Sequence, residues 1–367
     1  MITLLCENQI PWLKHLLPFP EVQVLSFWDD ASLREQLPLA DALLIRTVTR
    51  IDRLSFPAFP ERLKAVATAT AGFDHVDADW LGHNGIRFFH APGCNARSVA
   101  EYVATAVVSR FGTTSGALAG LKAGIIGYGK TGSQTAAILR QLGIACICYD
   151  PPKSEREPAF ASAAFGELRD ANFITLHVPL TPDGPHPTRH LAGPGLFLNR
   201  TKPLRLLINA ARGGVLDEAA ALSALQTGSL ESLVLDVWEN EPALSPQSLE
   251  AAALATPHIA GYSQQAKYNA SRIICESLSG FLGFRFNSSP PAFDIPEPVR
   301  AEAGLADALR RLHPAFRLDQ SLRTNPSSFS ALRNEAADRC GFAYIALSWL
   351  PEHEHQTAKA LGFTLLP

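Results

Sequence analysis

An arginine, a glutamate and a histidine each follow an apolar run in the second half of the chain. Arg212 lies in "LRLLINAARGG", Glu241 in "ESLVLDVWENEP" and His258 in "AALATPHIAG". An imidazole can take the proton of a hydroxyl group, and a carboxylate can orient that imidazole. A guanidinium can hold a carboxylate through two hydrogen bonds. The three side chains together predict chemistry at an alcohol carbon beside an acid group.

Each of these residues also has a structural interpretation, as a surface arginine, a solvated acid or a histidine that caps a strand. Their shared setting distinguishes the two interpretations. The carboxyl ends of parallel strands meet at one edge of a sheet, where ligands bind. We therefore expect Arg212, Glu241 and His258 to reach one crevice, which favours catalysis.

A glycine-rich turn precedes this set. Gly127, Gly129 and Gly132 form the pattern G-x-G-x-x-G between an apolar run and a helix-like segment. In this context the turn lets a backbone approach a pyrophosphate at a helix N-terminus. Asp150 ends the next apolar run and can accept hydrogen bonds from both ribose hydroxyls. Its charge would repel an extra phosphate, so NAD is predicted rather than NADP.

The elements that position these residues alternate along the chain. Apolar runs recur after residue 121 and are separated by stretches such as "LDEAAALSALQTG" that suit helices. This alternation predicts an α/β fold with a doubly wound parallel sheet of the Rossmann type. Cys146 and Cys148 fall on one of its strands, where we expect them to be buried.

A smaller α/β layer is predicted at the N-terminus, with strands in "MITLLCE", "EVQVLSF", "DALLIRT" and "LKAVATAT". A stiff link between the two layers is expected in "NARSVAEYVATAVVSRF". Ser98 and Glu101 have the spacing of a capping box, which would start a helix there. The helix would present one apolar face: Val99, Tyr102, Val103, Ala106 and Val107.

The last part of the chain begins with "NSSPPAFDIPEPVR", which is typical of a linker. It continues with helical stretches and two candidate strands, "FAYIALSWL" and "GFTLL", too few for a large core of its own. We predict a C-terminal α+β domain that dimerises. His353 and His355 lack further ligands nearby in sequence, so no metal site is predicted.

Composition sets limits on the partners. The 367 residues are 47% hydrophobic and 18% charged, with a net charge of -3, which gives no reason to expect nucleic acid or an anionic membrane. No apolar run reaches transmembrane length, and the start does not resemble a signal peptide. Six cysteines without metal-type spacing suggest reduced thiols and a cytoplasmic protein.

The motifs "GYGKTG", "NAARGGVLD", "DVWENEP" and "TPHIAGY" resemble the D-isomer-specific 2-hydroxyacid dehydrogenases, from the N-terminus to about residue 285. The resemblance implies that Arg212, Glu241 and His258 are catalytic, with His258 as the proton carrier. It also implies a set of cofactor contacts: Asp150, Ala210, Ala211, Arg212, Asp236 and Gly261.

A narrower set, "RTVTR", "ATATAGFDHVD", "APGCNARSVAEYV" and "HVPLTPDGPHPTRHL", is similar to one branch of that family. Members of the branch oxidise 4-phospho-D-erythronate to 2-oxo-3-hydroxy-4-phosphobutanoate in pyridoxal 5'-phosphate (vitamin B6) synthesis. This similarity implies substrate contacts at Thr47, Thr70 and Tyr262. The phosphate also needs a cation, and Arg46 follows the apolar run "DALLI"; an internal salt bridge of Arg46 and a role for Arg50 remain alternatives.

Two positions depart from the pattern of the branch. Val178 stands where a threonine is expected beside the cofactor, and Thr47 stands where a serine is expected. Only the first change removes a hydroxyl group, so one cofactor contact is left open.

The resemblance also sets the expected domains. They are a substrate domain at 1–93 completed by about 262–285, an NAD-binding domain at 94–261, and a homodimerising domain at 286–367. Two other functions remain open: a dehydrogenase for another 2-hydroxy acid such as 3-phosphoglycerate, and a non-catalytic protein that senses NAD(H).

Overall fold

The computed structural model describes residues 1–198, 200–336 and 339–367, which form two compact units. The first unit contains residues 1–95 and 265–293, and the second contains residues 96–264 and 294–367. Both are built on parallel sheets with helices between the strands. The predicted α/β class is confirmed.

The strands fall into three parallel sheets, ordered β2-β1-β3-β4-β5, β11-β10-β9-β8-β6-β7 and β12-β13-β14. In chain order they are β1 (Ile2–Glu7), β2 (Val22–Phe27), β3 (Ala42–Ile45), β4 (Ala65–Thr68), β5 (Arg87–Phe89), β6 (Lys122–Ile126), β7 (Ala145–Tyr149), β8 (Phe173–Leu176), β9 (Leu206–Asn209), β10 (Leu233–Leu235), β11 (Leu254–Ala255), β12 (Val299–Arg300), β13 (Ala346–Ser348) and β14 (Thr364–Leu365).

The α-helices in chain order are α1 (Leu13–Leu16), α2 (Asp30–Gln36), α3 (Ala78–His83), α4 (Ala96–Phe111), α5 (Ser115–Leu118), α6 (Lys130–Gln141), α7 (Pro151–Arg156), α8 (Pro194–Phe197), α9 (Glu218–Gln226), α10 (Pro246–Ala251), α11 (Gln264–Leu282), α12 (Leu305–Leu312), α13 (Ala315–Thr324), α14 (Phe329–Glu335) and α15 (His355–Leu361). None of the helices in the described ranges is long and apolar enough to cross a membrane.

The sheet of the first unit separates two apolar cores. Along β1, Leu4 and Cys6 enter one core while Leu5 enters the other. This is the alternation of side chains that a strand imposes, with both faces covered. The four strands predicted in this unit are present, and β5 is an additional short strand at the edge of the sheet.

The six-stranded sheet of the second unit carries the sites predicted above. Strands β8, β9 and β10 are buried along their whole length, as expected for a parallel sheet covered on both faces. The chain runs from β6 outward to β7 and then returns to the other side of β6 to form β8. Such a reversal of strand order is where doubly wound folds bind ligands. Cys146 and Cys148 lie on a strand as predicted, but this strand, β7, is at the edge of the sheet and leaves them only half-buried.

Helix α4 begins the second unit and is buried on almost every side. The predicted apolar positions are buried, but the predicted capping box was wrong. Ser98 lies inside the helix, and its hydroxyl oxygen is 2.7 Å from that of Ser263. The Glu101 carboxylate accepts hydrogen bonds from Arg97 and Arg339 instead of from the start of the helix. Both side chains have tertiary partners, which override the local motif.

The C-terminal segment contains a three-stranded parallel sheet with helices α12 to α15. Both candidate strands are present as β13 and β14. Strand β12, which was not predicted, is only two residues long and consists of the last two residues of the segment predicted as a linker. The linker itself, between α11 and β12, contains no helix or strand. Within the second unit the apolar side chains of this segment join the core that surrounds the six-stranded sheet.

Candidate active site and nucleotide-binding turn

The loops that carry Arg212, Glu241 and His258 leave three neighbouring parallel strands, β9, β10 and β11. Backbone contacts fasten these loops to one another. A Cβ atom on Gly213 would lie 1.8 Å from the carbonyl oxygen of Trp238, so only glycine permits this approach of the first loop to the second. The amide of His258 donates to the carbonyl of Asp236 at 2.8 Å, which joins the third loop to the second. The three predicted residues are therefore brought to one edge of one sheet.

His258 and Glu241 form a hydrogen-bonded pair. His258 Nδ1 lies 2.8 Å from Glu241 Oε1, and the two side chains are 25% and 28% exposed. The pairing through Nδ1 leaves Nε2 as the ring nitrogen available to a ligand; among the described residues Nε2 has no hydrogen-bond partner. A carboxylate on one ring nitrogen fixes the tautomer and stabilises the protonated ring. The arrangement can therefore hold a proton at Nε2.

A buried carboxylate holds the turn that carries His258. Asp236 is 1% exposed. Its Oδ1 accepts the Thr256 hydroxyl at 2.7 Å and the Ile259 amide at 2.7 Å, and its Oδ2 accepts the Ala260 amide at 2.9 Å. Burial raises the pKa of Asp236, while nearby His258 and these hydrogen bonds oppose the rise.

His258 itself has a φ of 57°, in the left-handed region that non-glycine residues seldom adopt. The hydrogen bonds from Ile259 and Ala260 to Asp236 are made directly after this residue and hold the chain in that conformation. Asp236 was predicted as a cofactor contact. In the structure both oxygens of its carboxylate accept hydrogen bonds from the residues around His258, and the cofactor contact stays a prediction.

Arg212 is half-buried and precedes a 3₁₀ turn at Gly213–Val215. Its carbonyl accepts a hydrogen bond from the Asn209 side-chain amide at 3.0 Å, and its Nη1 donates to the carbonyl of Ala211 at 2.8 Å. The Asn209 side chain also accepts the Ala211 amide at 3.2 Å. The last residue of β9 thus shapes the loop, including the predicted cofactor contacts Ala210 and Ala211.

The glycine-rich turn after β6 has the geometry of a nucleotide cradle. Gly127 has a φ of 90°, which favours glycine, and a Cβ atom on Gly132 would lie 1.9 Å from the carbonyl oxygen of Gly127. A Cβ atom on Gly129 would meet nothing within 4 Å, so open space lies over the N-terminus of α6. A pyrophosphate fits these features, since the free amides of a helix N-terminus favour an anion.

Asp150 links this turn to the next helix. Its Oδ2 accepts the Tyr128 amide at 2.7 Å, and its Oδ1 accepts the Lys153 amide at 2.9 Å, which makes it the N-cap of α7. The half-buried carboxylate is thereby held beside the glycine turn, and its contact with the ribose hydroxyls stays a prediction. Tyr128 stacks on Phe160 with ring centroids 5.0 Å apart.

The residues after β8 also border the glycine turn, and sequence reasoning overlooked one of them. A Cβ atom on Gly127 would lie 2.8 Å from both the backbone of His177 and Cγ1 of Val178. Val178 thus packs against the turn through its methyl group. Burial lowers the pKa of His177 to about 3, so this imidazole is neutral at physiological pH. The proximity of His177 to the turn could be seen only once the order of strands β6 and β8 was known.

The predicted substrate residues of the first unit follow the neighbouring strands β3 and β4. The Arg46 guanidinium donates to Gln9 Oε1 at 2.6 Å, a neutral partner rather than the carboxylate of an internal salt bridge. Thr47 is exposed, and the Thr70 hydroxyl donates to the Gly72 carbonyl at 2.7 Å. Arg50 forms an exposed ion pair with Asp52.

In the second unit, the predicted contacts Gly261 and Tyr262 are half-buried and follow the His258 turn. The carbonyl of Tyr262 accepts a hydrogen bond from Arg339 at 3.1 Å. The contacts of Ser98 with Ser263 and of Arg339 with Tyr262 were not predicted from the sequence. Their partners are distant in sequence, and no local motif marks such contacts.

Residues 95–260 match the family model of the D-isomer specific 2-hydroxyacid dehydrogenase, NAD binding domain. Solved structures agree in fold. A glyoxylate reductase from Paecilomyes thermophila is 21% identical, with a TM-score of 0.62 over 79% of this chain and 98% of its own. A D-lactate dehydrogenase from Aquifex aeolicus, complexed with NAD and lactic acid, is 24% identical, with a TM-score of 0.60 over 79% of this chain and 100% of its own.

Closer sequence relatives extend over almost the whole chain. An erythronate-4-phosphate dehydrogenase from Marinobacter nauticus is 36% identical over 90% of this chain and 91% of its own. One from Bacteroides fragilis is 34% identical over 90% of this chain and 94% of its own. With this coverage, and with the NAD-binding domain and paired site residues in place, the chain belongs to the erythronate-4-phosphate dehydrogenase family of D-isomer specific 2-hydroxyacid dehydrogenases.

Proposed function

We propose that this chain oxidises 4-phospho-D-erythronate at C2, giving 2-oxo-3-hydroxy-4-phosphobutanoate, NADH and a proton. The hydrogen bond between His258 and Glu241, at the strand-end edge of an NAD-binding domain, is the observation that carries the proposal. When bound, NAD would supply the acceptor for the hydride of C2, and the glycine turn after β6 together with Asp150 would hold it. The remaining requirements, a base and groups that hold the anionic substrate, fall to the side chains of the protein.

His258 Nε2 takes the proton of the C2 hydroxyl in this proposal. The Glu241 carboxylate, 2.8 Å from Nδ1, stabilises the imidazolium that forms and keeps the ring oriented. Oε2 of Glu241 is buried and has no hydrogen-bond partner within the described ranges, which is the setting of a charge that gains from a protonated neighbour. Release of the proton from His258 after turnover restores the base.

Arg212 holds the C1 carboxylate and polarises the C2 oxygen. A guanidinium suits this role because its planar fork matches the two oxygens of a carboxylate. The interactions that Asn209 makes with the Arg212 loop support a preorganised position for the loop.

The phosphate at C4 requires a second cation, and we assign it to Arg46, with Thr47 and Thr70 as hydroxyl donors and Tyr262 as a further substrate contact. The support for Arg46 is that its guanidinium donates to the neutral Gln9 amide, a partner that does not neutralise the positive charge a phosphate needs. Arg50 is a poorer candidate because Asp52 already pairs with it.

The same substrate and product place the reaction in the synthesis of pyridoxal 5'-phosphate. We further propose a cytoplasmic enzyme, which is supported by five cysteines that form no disulfide within the described ranges: Cys6, Cys94, Cys146, Cys148 and Cys275.

Replacement of His258 by Asn tests the proposed base. Turnover is expected to fall by roughly 100-fold or more, the usual contribution of general acid–base catalysis, while NADH binding is retained. Steady-state formation of NADH and titration of NADH fluorescence measure the two quantities. His186→Asn is the matched control, because His186 pairs with Glu155 at 2.9 Å on the surface. Near-normal turnover of the His258 variant would remove this residue from the mechanism.

The choice of cofactor tests Asp150. The unmodified protein should prefer NAD to NADP, and Asp150→Ala should narrow the ratio of the two kcat/KM values by about tenfold or more, a free-energy difference of about 1.4 kcal/mol. The change also removes the N-cap of α7. Asp77→Ala, which removes a carboxylate N-cap from α3, controls for that loss. Equal use of NAD and NADP by the unmodified protein would contradict the assignment.

The phosphate contact is tested by Arg46→Ala. The variant should raise KM for 4-phosphoerythronate far more than for an unphosphorylated 2-hydroxy acid, because only the former loses charge-assisted hydrogen bonds worth about 1.5 to 3 kcal/mol each. Arg50→Ala is the control and should leave both values unchanged. Equal losses on the two substrates would refute the role of Arg46. A wild-type preference for 3-phosphoglycerate would refute the substrate while leaving the dehydrogenase activity intact.

A homodimer through the C-terminal segment is the last part of the proposal. Trp349 and Leu366 follow the neighbouring strands β13 and β14 and are 62% and 41% exposed, so two large apolar side chains are accessible at the ends of adjacent strands. Trp349→Asp is expected to give a monomer in sedimentation velocity, where the unmodified chain sediments as a dimer, because a charge would be buried in the interface. Trp28→Asp, at a residue 68% exposed in the first unit, should stay dimeric. A Trp349 variant that remains dimeric would place the interface elsewhere.

A further inference from the structure

A buried ion pair joins the C-terminal segment to helix α4. Arg339 Nη1 donates to Glu101 Oε2 at 2.7 Å, and the two side chains are 3% and 1% exposed. The other oxygen of Glu101 accepts the amide of Phe342 at 3.2 Å and Arg97 Nε at 2.9 Å. A buried pair of this kind holds its geometry, because a shift of either partner would leave a charge without compensation.

The rest of the Arg339 guanidinium reaches the segment that follows His258. Its Nε donates to the carbonyl of Tyr262 at 3.1 Å, and its Nη2 donates to the carbonyl of Ser98 at 3.4 Å. The Arg339 carbonyl in turn accepts the amide of Gln264 at 2.9 Å. Arg339 therefore forms hydrogen bonds with both Tyr262 and Gln264, and its ion pair with Glu101 connects these residues to α4.

A second arginine of the C-terminal segment contacts the same tyrosine. The guanidinium carbon of Arg333, on α14, lies 5.6 Å from the centre of the Tyr262 ring. This distance is typical of a cation–π contact. The backbone and the ring of Tyr262 are thus both held by the C-terminal segment, the backbone by Arg339 and the ring by Arg333.

We propose that Arg339 is a positioning residue for the dehydrogenase reaction: it orders the segment 259–264 and so places Tyr262 for the substrate. The C-terminal segment then contributes to the active site of its own chain and does more than dimerise. This inference rests on the proposed function, since it takes Tyr262 as a substrate contact. In this proposal Arg339 acts through Tyr262 and not on the reacting atoms.

Arg339→Lys tests the proposal. Lysine keeps a positive charge for Glu101, but a single ammonium group cannot reach Glu101 and the carbonyls of Ser98 and Tyr262 at once. The KM for 4-phosphoerythronate should rise by roughly tenfold, the worth of one or two lost hydrogen bonds, while kcat and the Kd of NADH change by less than about twofold. Amide hydrogen exchange of residues 259–264, measured by mass spectrometry without substrate, should become faster.

Arg323→Lys is the matched control. Arg323 has the same kind of contacts, an ion pair with Asp319 and hydrogen bonds of 2.6 Å to the carbonyls of Leu249 and Ala252, but it holds the end of α10. In the Arg323→Lys variant, the KM for 4-phosphoerythronate and the amide hydrogen exchange of residues 259–264 should equal those of the unmodified protein. If Arg339→Lys behaves like this control in both measurements, the positioning role is refuted.

Two further outcomes are distinguishable. If the unmodified chain oxidises no 2-hydroxy acid, the proposed function fails, and the exchange measurement alone decides whether Arg339 orders the segment. If Arg339→Lys does not fold, Arg339→Met combined with Glu101→Gln replaces it, because removing both charges avoids a buried unpaired one. The double variant should show the same faster exchange and higher KM, and unchanged values would overturn the proposal.

Discussion

The carboxylate of Asp236 lies beneath the turn that presents His258, and the candidate active site depends on that contact. The carboxylate accepts hydrogen bonds from the amides of Ile259 and Ala260 and from the hydroxyl of Thr256. An anion so deeply buried is tolerated only when such donors surround it. The chain must therefore curl around Asp236, and that curl puts His258 in a left-handed conformation within reach of Glu241. Loss of the carboxylate would leave two buried amides without acceptors.

Helix α4 extends this constraint through the second unit. Tyr102 donates to Thr256, whose hydroxyl in turn donates to Asp236, so the helix supports the turn through a continuous chain of hydrogen bonds. Ser98 and Glu101 share a face of the helix with Tyr102, since residues three and four apart align on one side. Ser98 contacts Ser263, and Glu101 holds Arg339. Both ends of the 256–264 segment therefore form hydrogen bonds with helix α4. The C-terminal segment adds a further hydrogen bond, from Arg339 to the carbonyl of Tyr262.

The features that sequence alone predicted are those whose physics is local. The glycine turn, Asp150 after the next strand, and the placement of Arg212 and His258 after apolar runs each follow from short patterns. The strand candidates were placed correctly wherever an apolar run was long enough to be recognised. Strands β5 and β12 were not predicted, and β12 lies within the Pro-rich segment that was interpreted as a linker.

What sequence could not predict depends on contacts between distant residues. The capping-box spacing of Ser98 and Glu101 was misleading because tertiary partners took both side chains. Glycine is needed at position 213 because the backbone of Trp238 lies against it. The hydrogen bond from Arg339 to the carbonyl of Tyr262 joins residues that are 77 positions apart. No motif encodes such contacts, which arise only when the sheet order brings the loops together.

The central claim is that this chain moves a hydride from C2 of 4-phosphoerythronate directly to NAD while His258 takes the hydroxyl proton. The most direct test uses 4-phosphoerythronate that carries deuterium at C2, with mass spectrometry of the reduced cofactor. One deuterium per turnover should appear in the nicotinamide ring and none in the solvent. Absence of reduced cofactor, or deuterium released into water, would contradict the claim.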